Sequence, residues 1–173
     1  MNRLAGFFTT FLVLFLFILP CITIPAHAAE LTVASGLGMR TTHYNNRREV
    51  KDWQAGPVGY LAIRADESRW SLIATALDFE ADSIGEPCRA VGAGLAYDFI
   101  RWERVRLSLG ASIGPLYKPA SGFNGELAGF PFVMGTVDVW RGFFIGALGT
   151  AFPDGGKGWV AGVVPMAGWR FNF

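Results

Sequence analysis

The sequence lacks several features that would assign it to a common class of protein. Its 173 residues carry a formal net charge of only +1, so no strong electric field favours nucleic acid as a partner. After residue 28, no apolar run approaches the ~20 residues of a membrane-spanning helix. No glycine-rich phosphate-binding loop opens a helix. These absences argue against a nucleic-acid-binding protein and a helical membrane protein.

Cysteine and histidine are also scarce. Beyond the N-terminal segment, Cys88 is the only cysteine, so an internal disulfide cannot form there. His43 is the only histidine after residue 28, and no second histidine or cysteine cluster joins it. We therefore predict neither a metal site nor a cofactor.

The N-terminus is typical of a secretory signal. Arg3 supplies a positive charge, Phe7 to Leu19 form a short apolar run, and Ala26 to Ala28 offer small residues for cleavage. We predict a cleaved signal peptide over residues 1–28. One domain, residues 29–173, would remain.

The remaining chain is apolar without containing a spanning helix. The sequence is 51% hydrophobic and has 22 glycines and 15 phenylalanines. This high hydrophobicity has two explanations. The chain is either a soluble all-β domain with a large core or a β-barrel whose apolar face contacts lipid. Eight segments have the length of a tilted membrane-spanning strand, and they run over 31–43, 56–65, 69–79, 89–100, 104–117, 129–140, 143–152 and 159–173.

The connections between these segments alternate in length. The longer connections are 44–55, 80–88, 118–128 and 153–158. Between them lie three short connections, 66–68, 101–103 and 141–142. Tight periplasmic turns opposite larger surface loops are typical of outer-membrane barrels, whereas a soluble lipocalin-type barrel has less reason to show them. We predict an all-β fold, an eight-stranded antiparallel transmembrane β-barrel of a bacterial outer membrane.

Alternation and aromatic residues support this interpretation. In the fifth segment, small and polar residues alternate with the apolar residues Val105, Leu107, Leu109, Ala111 and Ile113. Trp70, Trp102 and Trp140 lie beside the short turns, as an interfacial girdle requires, and Tyr117, Phe152 and Trp159 could form the opposite girdle. The terminal Phe173 resembles the signal read by the barrel assembly machinery, a predicted partner.

Strand parity predicts a lumen with two different halves. Charged residues point inward near the short turns, where they can pair: Arg64, Asp98, Arg106, Asp138 and Arg170. Nearer the long loops the inward positions are apolar or small, and they include Gly92, Phe130, Phe132, Met134 and Met166. One hypothesis is a socket in which these five residues bind one acyl chain. The alternative is a packed barrel without a cavity.

Three residues near the long-loop rim could perform acyl transfer. His43 can accept a hydroxyl proton, Ser83 can act as a nucleophile, and Asp82 can orient the imidazole. Solvated loop side chains are the simpler explanation, and parity assigns His43 to the lipid face. Arg47 and Arg48 could bind lipopolysaccharide phosphates, or could simply be solvated.

These residues resemble a known family. Asp82-Ser83, followed by a glycine-rich strand and preceded some forty positions earlier by His43, is similar to the lipid A palmitoyltransferase family, PagP. The Trp169 to Phe173 ending is also similar. The resemblance implies that His43, Asp82 and Ser83 transfer a palmitoyl chain from a phospholipid donor to lipid A, with Gly92 setting the accepted chain length.

Two other functions remain open. The first is a non-enzymatic small barrel resembling OmpX or OmpA, with a structural or adhesive role, although such barrels usually carry long polar extensions and a polar lumen. A lipid A deacylase of the PagL kind is disfavoured, because no histidine follows His43. The modest loops and the apolar upper lumen favour a monomeric acyltransferase.

Overall fold

The computed structural model describes residues 29–45, 48–79, 88–118, 123–153 and 158–173, which form a closed antiparallel barrel. Its eight strands are β1 (Ala29–Asn45), β2 (Arg48–Ala65), β3 (Trp70–Phe79), β4 (Cys88–Arg101), β5 (Val105–Lys118), β6 (Phe123–Trp140), β7 (Phe143–Pro153) and β8 (Gly158–Asn172). The predicted fold is confirmed. The predicted signal peptide, residues 1–28, lies outside the described residues. Within the described ranges, no helix is long and apolar enough to cross a membrane.

Each strand pairs with its neighbour along the chain, and β8 closes the cylinder against β1. The closing ladder runs from Glu30 opposite Asn172 to Asn45 opposite Gly158, with an irregularity between Gly36 and Arg40. Closure matters in lipid because an unpaired backbone N–H or C=O group there costs several kcal/mol.

The barrel wall is apolar on the outside. On β5, Ser108 and Ser112 are buried in the lumen, whereas Leu109 and Ile113 are 59% and 60% exposed on the outer surface. Other exposed apolar side chains include Leu72, Leu95, Val133, Val137, Ile145 and Val163. Such a surface is suited to hydrocarbon, and the predicted orientation of β5 is confirmed.

An aromatic girdle surrounds the end of the barrel that carries the short turns. Trp70, Trp102 and Trp140 are each more than half exposed. Trp140 packs edge-on against Trp169 with ring centroids 6.2 Å apart, and the Arg141 guanidinium lies 5.4 Å from the Trp140 ring centroid. Of the residues predicted for the opposite girdle, Tyr117 is exposed, and the side chains of Phe152 and Trp159 lie outside the described part.

The short turns lie where they were predicted, and the turn between β6 and β7 shows why it is tight. Arg141 and Gly142 have φ angles of 41° and 86°, and Trp140 pairs with Phe143 across them. Two consecutive residues with positive φ are characteristic of a type I′ turn, whose twist matches that of the flanking strands.

Two of the four long loops predicted at the other end of the barrel were wrong. Residues 44–55 were predicted as a loop, yet β1 continues to Asn45 and β2 begins at Arg48, with Thr42 opposite Lys51. Likewise β6 begins at Phe123, within a predicted loop. Polar residues indicate solvent rather than irregular backbone, so a sheet that extends into water is easily mistaken for a loop.

The β6–β7 turn provides a test of these backbone constraints. Gly142→Ala should destabilise the barrel by about 1–3 kcal/mol, because the new methyl group would clash with the Arg170 carbonyl oxygen at a positive φ. The measurement is urea unfolding of the barrel refolded in lipid vesicles. Gly129→Ala is the control and should be neutral, because nothing lies within 4 Å of its Cβ position. Equal stability of the two variants would contradict the assigned strain.

Candidate functional site

The floor of the lumen, near the short turns, is an ionic network centred on Arg64. One guanidinium nitrogen of Arg64 (Nη2) lies 2.7 Å from Glu30 Oε2, and the same side chain pairs with Asp98. Arg106 Nη1 donates a 2.6 Å hydrogen bond to the other Glu30 oxygen, Oε1. Ser108 Oγ donates to Asp98 Oδ1 at 2.7 Å. Both carboxylates are therefore shared among several donors.

A second group completes the floor. Arg170 pairs with Asp138 and donates to the hydroxyl of Thr136. Its guanidinium also lies 4.2 Å from the ring centroid of Phe144, which is fully buried. With these residues, three arginines face three carboxylates across the narrow lumen. Such pairing is what makes buried charge tolerable.

The sequence predicted five of these six charged residues correctly and missed Glu30. The predicted first strand began at Leu31, so Glu30 was treated as the end of the processed N-terminus. Its parity with the inward Thr32 and Ala34 was the available signal. In the structure Glu30 lies opposite Arg64 in the β1–β2 ladder.

The upper lumen is filled by apolar side chains. Phe130, Phe132, Met134 and Met166 are each no more than 5% exposed and belong to one cluster with Tyr60. The rings of Tyr60 and Phe132 meet edge to face with centroids 6.0 Å apart. These residues point inward as predicted, but they pack against one another.

Among the described residues, the part of the lumen where the acyl socket was predicted is closely packed. One cavity inside the lumen has a volume of about 30 Å³. Residues from β2 to β8 line it, and most of the lining is apolar. That volume holds one or two water molecules and no long acyl chain. Gly92 does not line it, and a Cβ atom at Gly92 would lie 3.1 Å from the Ser112 side chain. The inward glycines allow close packing of neighbours rather than leaving open space.

The predicted rim trio falls mostly outside the described residues. Asp82, Ser83 and Arg47 are not described, and of His43 and Arg48 the structure describes the backbone alone. His43 lies on β1, opposite Val50 on β2 and Val160 on β8. Among the described residues, no group of three or more His, Cys, Asp or Glu side chains is arranged to hold a metal ion.

Comparisons with known proteins yield structural relatives only. No family model and no curated protein sequence matches the chain. Ail, the attachment invasion locus protein of Yersinia pestis, is similar with a TM-score of 0.55 and 17% identity, over 83% of this chain and 99% of Ail. That structure is a complex with the heparin analogue sucrose octasulfate. Neisserial surface protein A, NspA, has a TM-score of 0.52 and 17% identity, over 84% of this chain and 97% of NspA.

These comparisons overturn the resemblance to the lipid A palmitoyltransferase family. The solved structures that the chain resembles are an attachment protein and a surface protein, and nothing in the comparisons indicates PagP. The acyltransferase hypothesis is therefore wrong, and the filled lumen supplies a physical reason. The lipid-facing wall and the shared fold identify the chain as an integral β-barrel of a bacterial outer membrane.

The ionic floor makes a stability prediction. Arg64→Leu should cost about 3–5 kcal/mol, because it leaves the buried Glu30 and Asp98 carboxylates without their shared partner. Arg89→Leu is the matched control. It breaks the exposed 2.8 Å pair with Asp78 and should cost less than about 1 kcal/mol. Denaturant unfolding in vesicles measures the free energy of unfolding of both variants. Similar losses of stability would contradict a special contribution of the ionic floor.

Proposed function

We propose that this barrel is a non-enzymatic surface protein that attaches the bacterial cell to an anionic polymer outside it. The contact surface is the outer part of the β1–β2 hairpin, residues 38–55, called here the outer hairpin. The observation that carries the proposal is the length of the strands, which exceeds what the membrane requires.

The excess length follows from strand geometry. A residue in a strand tilted by about 40° rises roughly 2.5 Å along the membrane normal, so about 10 residues cross a 25 Å apolar belt. The described parts of β3 and β7 have 10 and 11 residues, which matches that belt. β1 and β2 have 17 and 18 residues. Their additional residues project the outer hairpin roughly 18 Å into the external solvent.

The projecting sheet is supported on one side by β8. The β1–β8 ladder continues from Arg40 opposite Val163 to Asn45 opposite Gly158. The outer hairpin therefore belongs to a three-stranded sheet rather than an isolated ribbon, and three strands hold their shape where two are marginal. The backbone of its described strands is therefore held by ladder pairing on both sides of β1.

The charge of the outer hairpin favours an anionic ligand. The outer hairpin contains four basic residues, Arg40, Arg47, Arg48 and Lys51, against two acidic residues, Glu49 and Asp52. Arginine binds sulfate and phosphate groups through paired N–H donors. Such a cluster attracts polyanions although the whole chain is nearly neutral.

The solved complex of Ail supports a sulfated ligand. Ail binds the heparin analogue sucrose octasulfate and shares this fold with the chain. By that analogy, the ligand class proposed here is a sulfated polysaccharide. The sequence first predicted that Arg47 and Arg48 bind lipopolysaccharide phosphates. Those phosphates lie at the same membrane surface and would compete with the polysaccharide for these arginines.

One further partner prediction is retained. Phe173 ends the chain directly after β8 and is 70% exposed on the barrel surface. Its accessibility supports the proposal that the barrel assembly machinery binds this end. A phospholipid donor and a lipid A acceptor are no longer proposed, because they belonged to the acyltransferase hypothesis.

Cell adhesion tests the proposed attachment. A non-adherent bacterium that produces the barrel should bind immobilised heparin at least tenfold better than the empty-vector strain, and added salt should weaken the binding. The variant R47S/R48S/K51S should lose most of this gain. R101S/R104S, which changes exposed arginines at a periplasmic turn, is the control and should keep it.

Surface abundance is measured in parallel by heat-modifiable migration of outer-membrane fractions. Unchanged adhesion of R47S/R48S/K51S at equal abundance would refute the role of the outer hairpin. Adhesion of the unmodified barrel no better than the empty vector would refute attachment to this polymer class.

A further inference from the structure

A groove of about 510 Å³ opens on the outer wall of the barrel across β5 to β8. Small residues form its floor, namely Gly149, Ala151 and Ala161, and Val133 and Val163 form its sides. The β7–β8 ladder places Ala151 directly opposite Ala161 and Gly149 opposite Val163. The larger side chains of Leu109, Val133 and Val163 also line it, so these neighbouring small residues produce a depression.

The groove lies beside the point where the ladder between β6 and β7 stops. The last described pair of that ladder is Phe132 opposite Thr150, and the next residue of β6 toward the outside is Pro131, which has no N–H to donate. Thr150 Oγ1 instead donates a 3.0 Å hydrogen bond to the Pro131 carbonyl. The exposed carbonyl is therefore satisfied, and the groove stays apolar although the ladder is interrupted.

The wall is only one side chain thick at this point. Phe132 and Thr150 line both the groove on the outside and the small cavity inside the lumen. A ligand in the groove would therefore rest on the packed core.

The groove lies in the outer half of the membrane. Gly149 and Ala151 follow Phe143, the first residue of β7 at the periplasmic end, by six and eight residues. At roughly 2.5 Å per residue, they lie about 15–20 Å above the inner boundary of a 25 Å belt. The groove is continuous with the lipid-facing wall, so its natural occupant is a lipid of the outer leaflet.

We infer that the groove is a binding site for one saturated acyl chain of a lipopolysaccharide molecule. Its volume falls within the range of about 300–1,000 Å³ that is typical of small-molecule sites. Hydrocarbon surrounds the barrel on all sides, so selectivity must come from close packing rather than from exclusion of water. A straight, saturated chain would lie along the small residues of the floor, between Val133 and Val163. This inference does not depend on the proposed attachment function.

Native mass spectrometry of the folded barrel in detergent tests the site. Deep-rough lipopolysaccharide and phosphatidylethanolamine are titrated in separate arms. The unmodified barrel should retain one lipopolysaccharide molecule, at a concentration at least tenfold lower than for phosphatidylethanolamine. Ala151→Phe fills the groove from β7 and should weaken lipopolysaccharide binding at least tenfold. Ala161→Phe fills it from β8 and gives an independent second variant.

Ala93→Phe is the matched control. Ala93 is an exposed, outward residue of β4, eight residues from the periplasmic end of its strand, and lies outside the groove. Its lipopolysaccharide binding should be unchanged, and heat-modifiable migration confirms that each variant is folded. The site would be overturned if Ala151→Phe and Ala161→Phe bound lipopolysaccharide as well as the unmodified barrel does. It would also be overturned if Ala93→Phe lost as much binding as they do, or if the unmodified barrel showed no preference for lipopolysaccharide over phosphatidylethanolamine. A dimer that these two groove-filling variants abolish would overturn it as well, because the groove would then be a protein interface.

Discussion

The narrow bore of an eight-stranded cylinder is the constraint on which the rest of this structure depends. Side chains from all sides meet in its lumen, so every inward residue must be packed or paired. At the floor, Arg64 and Arg106 share the Glu30 carboxylate, and Arg170 pairs with Asp138. Above the floor, the Phe132 ring lies against Gly110. The same constraint leaves the described part of the lumen filled by packed and paired side chains.

Two outer surfaces then differ in what they meet. In the proposed function, the outer hairpin extends the β1–β2 sheet beyond the membrane into water, where its basic residues would bind an anionic polymer. The groove along β7 and β8 stays within the hydrocarbon belt, where small side chains and an interrupted ladder leave a channel for an acyl chain. The outer hairpin arises from the length of β1 and β2. The groove arises from small side chains that face each other on β7 and β8. The rigid core supports both.

The error about enzymatic function has a physical explanation. Short stretches such as Asp82-Ser83 and a strand-end histidine are common wherever loops join strands, so their spacing alone does not establish a catalytic site. The apolar upper lumen seemed to support a socket, yet apolar inward residues are equally what a packed lumen requires. A period-two pattern shows which way Phe130 and Met134 point. It does not show what meets them there, because that depends on the opposite strands.

The sequence by itself determined the properties that are local to a strand. Side chains alternate across any strand, so the polar face of β5 with Ser108 and the apolar face with Leu109 follow from the order of residues alone. The short turns and their flanking tryptophans were equally local. Tertiary structure decided what depends on register and closure. Glu30 binds Arg106 from 76 positions away, and the groove exists only where Ala151 meets Ala161. Those contacts depend on how strands that are distant in sequence pair, and no local pattern encodes that pairing.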